Sequence, residues 1–207
     1  MEIDRTSVQR ALRRLRRTDL PIDTFAMARF LIGKVLVHDV RTCRLSARIV
    51  ESEAYPVGDS AGHAFRGKTP RNASLFLEPG HAYVYRVYGS CFMLNVTSEP
   101  AGIGAGVLLR AAQPLDGIER MQRYRGTERL IDLARGPGRL AEAMAIDLKC
   151  DGLDLCARGS LWLADTGENA DPVGASPRIG LNRERHRILR FYERGNPYVS
   201  GPKSLNQ

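Results

Sequence analysis

The run from Cys43 to Tyr55, CRLSARIVESEAY, alternates its side chains closely enough to predict one long β-strand. A period of two puts Ala47, Ile49, Glu51, Glu53 and Tyr55 on one face, and Arg48, Val50 and Ser52 on the other. Two carboxylates on an otherwise apolar face are costly unless they are exposed, paired or used in chemistry. From spacing alone, a solvated edge strand and a catalytic pair fit equally well. In either case the strand must find partners, so the chain has to build a sheet.

The remaining pattern supplies them. Strands are predicted over Lys34 to Val40, His81 to Tyr88, Cys91 to Ser98, Gly104 to Ala112, Leu161 to Ala164, Arg178 to Leu181 and Leu189 to Glu193. Gly89-Ser90 between two of them suits a two-residue type II′ hairpin. Helices are predicted over Ser7 to Arg17, with Val8, Leu12 and Leu15 on one face, and over Thr24 to Ile32, set up by Pro21 and Asp23 and ended by Gly33. Leu115 to Arg125, Glu128 to Ala134 and Gly138 to Ile146 also read as helical. Gly58 to Pro79 is a long polar loop, a length that usually marks function. Strands and helices do not alternate and no repeat is present. The class is therefore α+β, a single domain with a mainly antiparallel sheet.

With 207 residues the chain fits one domain, read as a basic N-terminal segment over 1–17 and a main domain over 18–207. The net charge of +8 favours a polyanionic partner. Six arginines precede Thr18, and these fit a solvated helix face or a mobile arm as readily as a binding element. Four cysteines without C-x-x-C spacing argue against a zinc site or a disulfide framework and fit reduced thiols in the cytosol. No run approaches a membrane span, and Leu20 to Leu36 is too interrupted by charge for a signal core.

Three local features could carry chemistry. Glu51, Glu53, Asp59 and His63 are all potential metal ligands, although their spacing matches no established motif. Tyr83, Tyr85 and Tyr88 crowd one hairpin, where a tyrosine at the tip is well placed to insert between bases; taken alone, a strand that simply favours aromatics is the better account of them. Arg110 ends the apolar run Val107-Leu108-Leu109 and calls for a carboxylate partner, for which Glu51 or Glu53 would serve.

Taken together, Arg48-Ile49-Val50-Glu51-Ser52-Glu53-Ala54-Tyr55, His63, Lys68-Thr69-Pro70-Arg71-Asn72, Tyr83-Val84-Tyr85, Tyr88-Gly89, Asn95, Val107-Leu108-Leu109-Arg110, Gly136-Pro137, Arg178-Ile179-Gly180 and Leu189-Arg190-Phe191-Tyr192 closely resemble the alkyladenine (3-methyladenine, or methylpurine) DNA glycosylase family. The resemblance runs from about Asp19 to Ser200, and the order and spacing of the motifs make it specific.

The resemblance implies a curved sheet or partial barrel flanked by helices, like the C-terminal domain of formyltransferases. It implies an enzyme of base-excision repair that flips a damaged purine from double-stranded DNA and hydrolyses its bond to the sugar. Glu53 would be the general base acting on water, with Arg110 and the backbone carbonyl of Ile179 holding that water and Arg110 keeping Glu53 ionised. Tyr55, His63 and Tyr85 would stack the flipped base, Asn95 would crowd the 2-amino group of guanine, and Tyr88 would be the wedge. Lys68, Thr69, Arg71 and Arg139 are candidates for phosphate contacts, Arg139 at a helix N-terminus. No metal, no organic cofactor, no membrane and a monomer are expected, in the cytoplasm with the nucleoid of a prokaryote or in the nucleus of a eukaryote.

Two departures stand out. Cys91 occupies the place of a second hairpin aromatic, and the loop between Tyr55 and His63 is one residue shorter than in relatives. Of the four lysines, Lys34, Lys149 and Lys203 lie outside the matched pocket segments and Lys68 lies in a loop read as phosphate-facing, so Schiff-base lyase chemistry is not expected. Two other classes compete: a metal-dependent nuclease or hydrolase using Glu51, Glu53, Asp59 and His63, and a non-catalytic nucleic-acid-binding module on the same scaffold.

Overall fold

A computed structural model describes residues 12–87, 89, 91–167 and 172–206. In chain order the strands are β1 (Arg13–Arg14), β2 (Val35–Val40), β3 (Cys43–Tyr55), β4 (Ala82–Val87), β5 (Cys91–Thr97), β6 (Gly106–Asp116), β7 (Leu161–Asp165), β8 (Val173–Pro177) and β9 (Ile188–Glu193). The α-helices are α1 (Thr24–Phe30), α2 (Ile118–Arg125) and α3 (Pro137–Ala143). Among the described residues no helix is long and apolar enough to cross a membrane.

The sheet runs β1-β7-β2-β3-β6-β5-β4, and every pairing in it is antiparallel. It branches at β3. The first half of that strand pairs with β2, from Val40 opposite Cys43 to Val35 opposite Arg48. Its second half pairs on the same side with β9, placing Glu51 opposite Tyr192 and Glu53 opposite Arg190, and β9 in turn carries β8. The N–H of Asp23's neighbour Ala26 is capped by the Asp23 carboxylate at 2.7 Å, which starts α1 where the Pro-Ile-Asp signal put it. Helices α1, α2 and α3 contribute Met27, Ala28, Met121, Leu140, Ala141 and Ala143 to one apolar core against the sheet.

Strict alternation does not survive along β3, and the departure builds the site. Ile49 lies opposite Ala112 and Glu51 opposite Ala111, so Val50 is an extra residue on β3. Ser52 then pairs with Leu109, leaving Arg110 as the extra residue on β6. Each bulge turns its strand over. Ala47 and Ile49 pack into the helical core with Ala54, whereas Val50 joins Ala111, Tyr192 and Val199 on the opposite side. The predicted common face of Ala47, Ile49, Glu51, Glu53 and Tyr55 is thus divided. Ser52 now points at α1, donating to Ala28 O at 2.8 Å.

Other predicted elements shift as well. Over 12–17 the expected helix gives way to β1, with Arg13 opposite Asp165 and Leu15 N–H donating to Leu163 O at 2.9 Å. Leu12 and Leu15 sit three apart, which marks one helical stripe but opposite faces of an extended chain, and they enter different clusters. Residues 1–11 of that expectation lie outside the described residues. Val87 pairs with Cys91, so the hairpin has a three-residue connection and not the predicted two, with Gly89 at φ 78°. Instead of a helix over 128–134 there is a short 3-10 turn at Leu130–Asp132. The predicted strand at 178–181 is irregular, because the pairing to β9 is taken by Val173–Pro177 just before it.

Candidate active site

Where β3 and β6 bulge, their side chains form a buried charged seam. Glu51 and Glu53 are both fully shielded from solvent. Arg110 reaches each of them, through Nε to Glu51 Oε1 at 2.8 Å and Nη1 to Glu53 Oε1 at 3.2 Å. Arg190, opposite Glu53 on β9, also donates to Glu51 Oε1, at 2.7 Å, and the Ser200 N–H donates to Oε2 at 2.6 Å. Arg190 further donates to Ser176 Oγ, Ser200 O, Leu205 O and Asn206 Oδ1, tying the segment over 200–206 to the sheet. Burial disfavours the charge of Glu51, yet the two arginines and the hydrogen bonds outweigh it and its pKa falls below the ordinary range.

Glu53 differs. Its Oε1 accepts the Ile179 N–H at 2.8 Å, and its Oε2 accepts the Tyr55 hydroxyl at 3.0 Å. Burial dominates here and, with the nearby Glu51 charge, pushes the carboxyl above its usual pKa against the pull of Arg110, Ile179 and Tyr55. Arg110 therefore favours ionisation of Glu53 without fully offsetting its burial. The group of Ile179 that meets Glu53 is its N–H.

Beside this seam lies a cavity of about 100 Å³ lined by Tyr55, Ala61, His63, Leu75, Tyr83, Tyr85, Asn95, Gly106 and Leu181. Glu53 is not itself on the wall; it stands behind the Tyr55 hydroxyl. The aromatic groups are mutually locked. The His63 and Tyr85 rings meet edge-on with centroids 4.4 Å apart, Tyr83 and Tyr85 stack at 5.3 Å, and His63 Nδ1 is 2.8 Å from the Tyr83 hydroxyl. Desolvation by these rings, together with nearby Arg71, lowers the His63 pKa. Asn95, opposite Tyr83 on β5, is buried and donates to Tyr83 O at 3.3 Å. Gly106 forms part of the floor, where a Cβ would lie 2.9 Å from Leu75 Cδ1 and 3.0 Å from Val96 O.

The structure thus brings together Glu53, Arg110, Ile179, Tyr55, His63, Tyr85 and Asn95. It leaves the expected phosphate-contact residues apart from the slot. Thr69 caps the turn over Pro70–Phe76 through Asn72, whose Nδ2 donates to His63 O at 2.9 Å, so this loop holds His63 in place. Lys68 is exposed with Nζ 6.0 Å from the Phe76 ring, and Arg71 is exposed and donates to Arg86 O at 3.4 Å. Arg139 occupies the first turn of α3 and lies 3.5 Å from Asp132, at a second groove shared with Cys91. Tyr88 lies outside the described residues.

The four residues weighed as a metal-ligand set are not gathered. Glu51 and Glu53 face arginines, Asp59 pairs with Arg178, and His63 meets Tyr83. Among the described residues no three His, Cys, Asp or Glu side chains are grouped to hold a metal. Tyr83 is a wall residue that the sequence placed in the same hairpin as Tyr85 without assigning it to the base pocket. Arg178, Arg190 and Ser200 went unassigned too, since their partners are more than a hundred residues away and leave no local signal.

The family model described as methylpurine-DNA glycosylase matches residues 19–197. A protein of Mesorhizobium japonicum is 61% identical over 191 residues, covering 92% of each chain, and one of Paraburkholderia phytofirmans is 52% identical over 191 residues, covering 92% of this chain and 90% of its own. A protein of Methanocella arvoryzae is 43% identical over 183 residues, covering 86% and 90%. All three carry the name "Putative 3-methyladenine DNA glycosylase". With a seam of paired carboxylates and arginines behind an aromatic slot, and a match over nearly its whole length, the chain belongs to the methylpurine-DNA glycosylase family.

Proposed function

We propose that the protein everts alkylated or deaminated purines (3-methyladenine, 7-methylguanine, hypoxanthine or ethenoadenine) from double-stranded DNA and hydrolyses the N-glycosidic bond with water, leaving the abasic site uncut. The observation that carries this reading is Glu53, buried and hydrogen-bonded through Oε2 to the tyrosine that lines the slot. The slot offers π-faces to an extruded base, and Glu53 takes a proton from water as the water oxygen bonds to C1′. The C1′–N bond breaks with its electrons going to the departing purine, and Arg110 balances the carboxylate charge.

Asn95, in the wall beside Tyr83, serves as the steric gate against the guanine 2-amino group. Tyr88, next to Gly89 at the hairpin turn, is the wedge, and Lys68, Thr69, Arg71 and Arg139 meet phosphates. Among the described residues no lysine lines the cavity, which supports hydrolysis over Schiff-base lyase chemistry. The competing reading is binding without catalysis, on a scaffold expected to resemble formyltransferase C-terminal domains.

The test is base release from lesion-bearing duplexes in the presence of chelator, scored after hot alkali. Release by the wild type and its loss in Glu53→Gln, with DNA binding retained, is the expected outcome. Undiminished release by Glu53→Gln removes Glu53 as the base, and strand cleavage before alkali removes the uncut abasic product.

A further inference from the structure

Tyr55 has two ring faces, and one of them is already taken. The guanidinium of Arg178 lies over the ring, its Cζ 4.5 Å from the centroid, yet Arg178 is not among the residues lining the cavity. Its side chain is wholly shielded from solvent, as is that of Asp59. Nη1 donates to Ala54 O at 2.9 Å and to the Asp59 carboxylate, and Asp59 is itself fixed by the Ala61 N–H at 2.9 Å. Among the described residues the remaining nitrogens, Nε and Nη2, have no hydrogen-bond partner. Leaving such donors buried is costly. The electron-rich face of Tyr55 is the surface on which this guanidinium rests.

We infer that Arg178, held by Asp59, sets the charge selectivity of the slot by acting through Tyr55. This rests on the glycosylase reading above. An aromatic ring attracts a cation through the negative potential of its face, and a guanidinium bound to one face reduces what the other can offer. N-alkylated purines such as 7-methylguanine carry a formal positive charge, while hypoxanthine is neutral. Both gain stacking contact in the slot, but the cation forfeits part of its electrostatic attraction and meets a like charge across the ring. The counter-charge of Asp59 limits that repulsion. Tyr55 therefore discriminates less in favour of cationic bases than an aromatic face with nothing behind it. Arg178 is a positioning and selectivity residue, because it touches the ring and not the substrate.

The pair of charges makes opposite predictions that a loss of structure would not imitate. The readout is the ratio of single-turnover kcat/KM for 7-methylguanine to that for hypoxanthine at one pH. In Asp59→Asn/Arg178→Met, which replaces both charges by neutral side chains of similar size, the ratio rises roughly three- to tenfold. In Asp59→Asn alone, which keeps the cation and removes its counter-charge, the ratio falls. A ratio within about twofold of wild type in both variants, or movement in the same direction in both, overturns the inference. Should the double variant fail to fold in a thermal melt, Asp59→Asn decides alone: a fall supports the inference, and no change or a rise overturns it. Failure of the glycosylase reading is distinct, since it appears as absent base release by wild type or retained release by Glu53→Gln.

Discussion

The hydroxyl of Tyr55 donates to Glu53 Oε2 at 3.0 Å, so the ring on the cavity wall and the carboxylate behind it form one hydrogen-bonded unit. Removing that donor in Tyr55→Phe keeps the stacking surface but takes away a bond that favours the ionised carboxylate. A hydrogen bond to a charged group contributes about 1.5–3 kcal/mol, equivalent to about one pH unit or more. The acid limb of the rate profile should therefore move to higher pH by about that amount, with a smaller change at the alkaline plateau. An unshifted limb with a uniformly lower rate would mean that the hydroxyl does not act through Glu53.

Glu53 also couples stability to pH. Its folded-state pKa is raised above the unfolded value, so its contribution is fully present below the unfolded value, near 4.5, and is lost as pH rises through the folded value. Glu53→Gln cannot ionise and escapes that loss. Urea melts from pH 5 to pH 8 should show the variant gaining on wild type as pH increases. A gap independent of pH contradicts the burial argument.

Glu51 behaves in the opposite sense. It is held ionised by Arg110 and Arg190, and its stabilising contribution is present above pH 4.5 and lost as pH falls through its lowered folded value. Glu51→Ala leaves buried Arg190 without a carboxylate and Arg110 with Glu53 alone, a change that costs about 3–5 kcal/mol. The denaturation midpoint should drop by far more than for Glu53→Gln. Equal midpoints would show that the arginines find other partners.

Gly106 limits the slot from below. In Gly106→Ala the new methyl group meets Leu75 and Val96 O, which must give way or push the floor inward. Such overpacking costs about 1–3 kcal/mol. A higher KM for lesion-bearing duplex at a largely unchanged kcat is the expected signature, and an unchanged KM would place the bound base elsewhere.

Base release should also fall steeply with salt. A chain of net charge +8 that meets phosphates releases counterions on binding, so kcat/KM plotted against salt on logarithmic axes should be a line of negative slope. Substituting Arg139 or Lys68 by Ala should flatten it by about one unit each if they touch phosphate. No change in slope removes that residue from the interface.

Much of this molecule was legible from residue patterns because the relevant signals are local. The thirteen residues of β3 alternate in sequence and form one strand with the predicted ends, Cys43 and Tyr55. Asp23 caps α1 as its position suggested. What period-two reasoning could not supply is the turning over of β3 at Val50 and of β6 at Arg110, since a bulge adds a residue without altering composition. Arg110 was matched in advance to Glu51 or Glu53, and it meets both, but the partner of Asp59 and the second arginine on Glu51 are set by tertiary pairing and left no such signal. Leu12 and Leu15 misled for a related reason: a spacing of three satisfies a helix, and it equally serves an extended segment squeezed between two clusters.

The handover on β3 from β2 to β9 has a consequence for how the molecule comes into being. Glu51 and its partner Arg190 stand 139 positions apart, and Ser200 is 149 positions away. A nascent chain emerging from the ribosome can close the β2–β3 hairpin early, but its two glutamates wait for residues 188–206 before Glu51 is neutralised from both sides. Such distant closure is slow compared with local pairing. The charged seam is thereby completed only after the local β2–β3 pairing, when residues 188–206 close back onto β3.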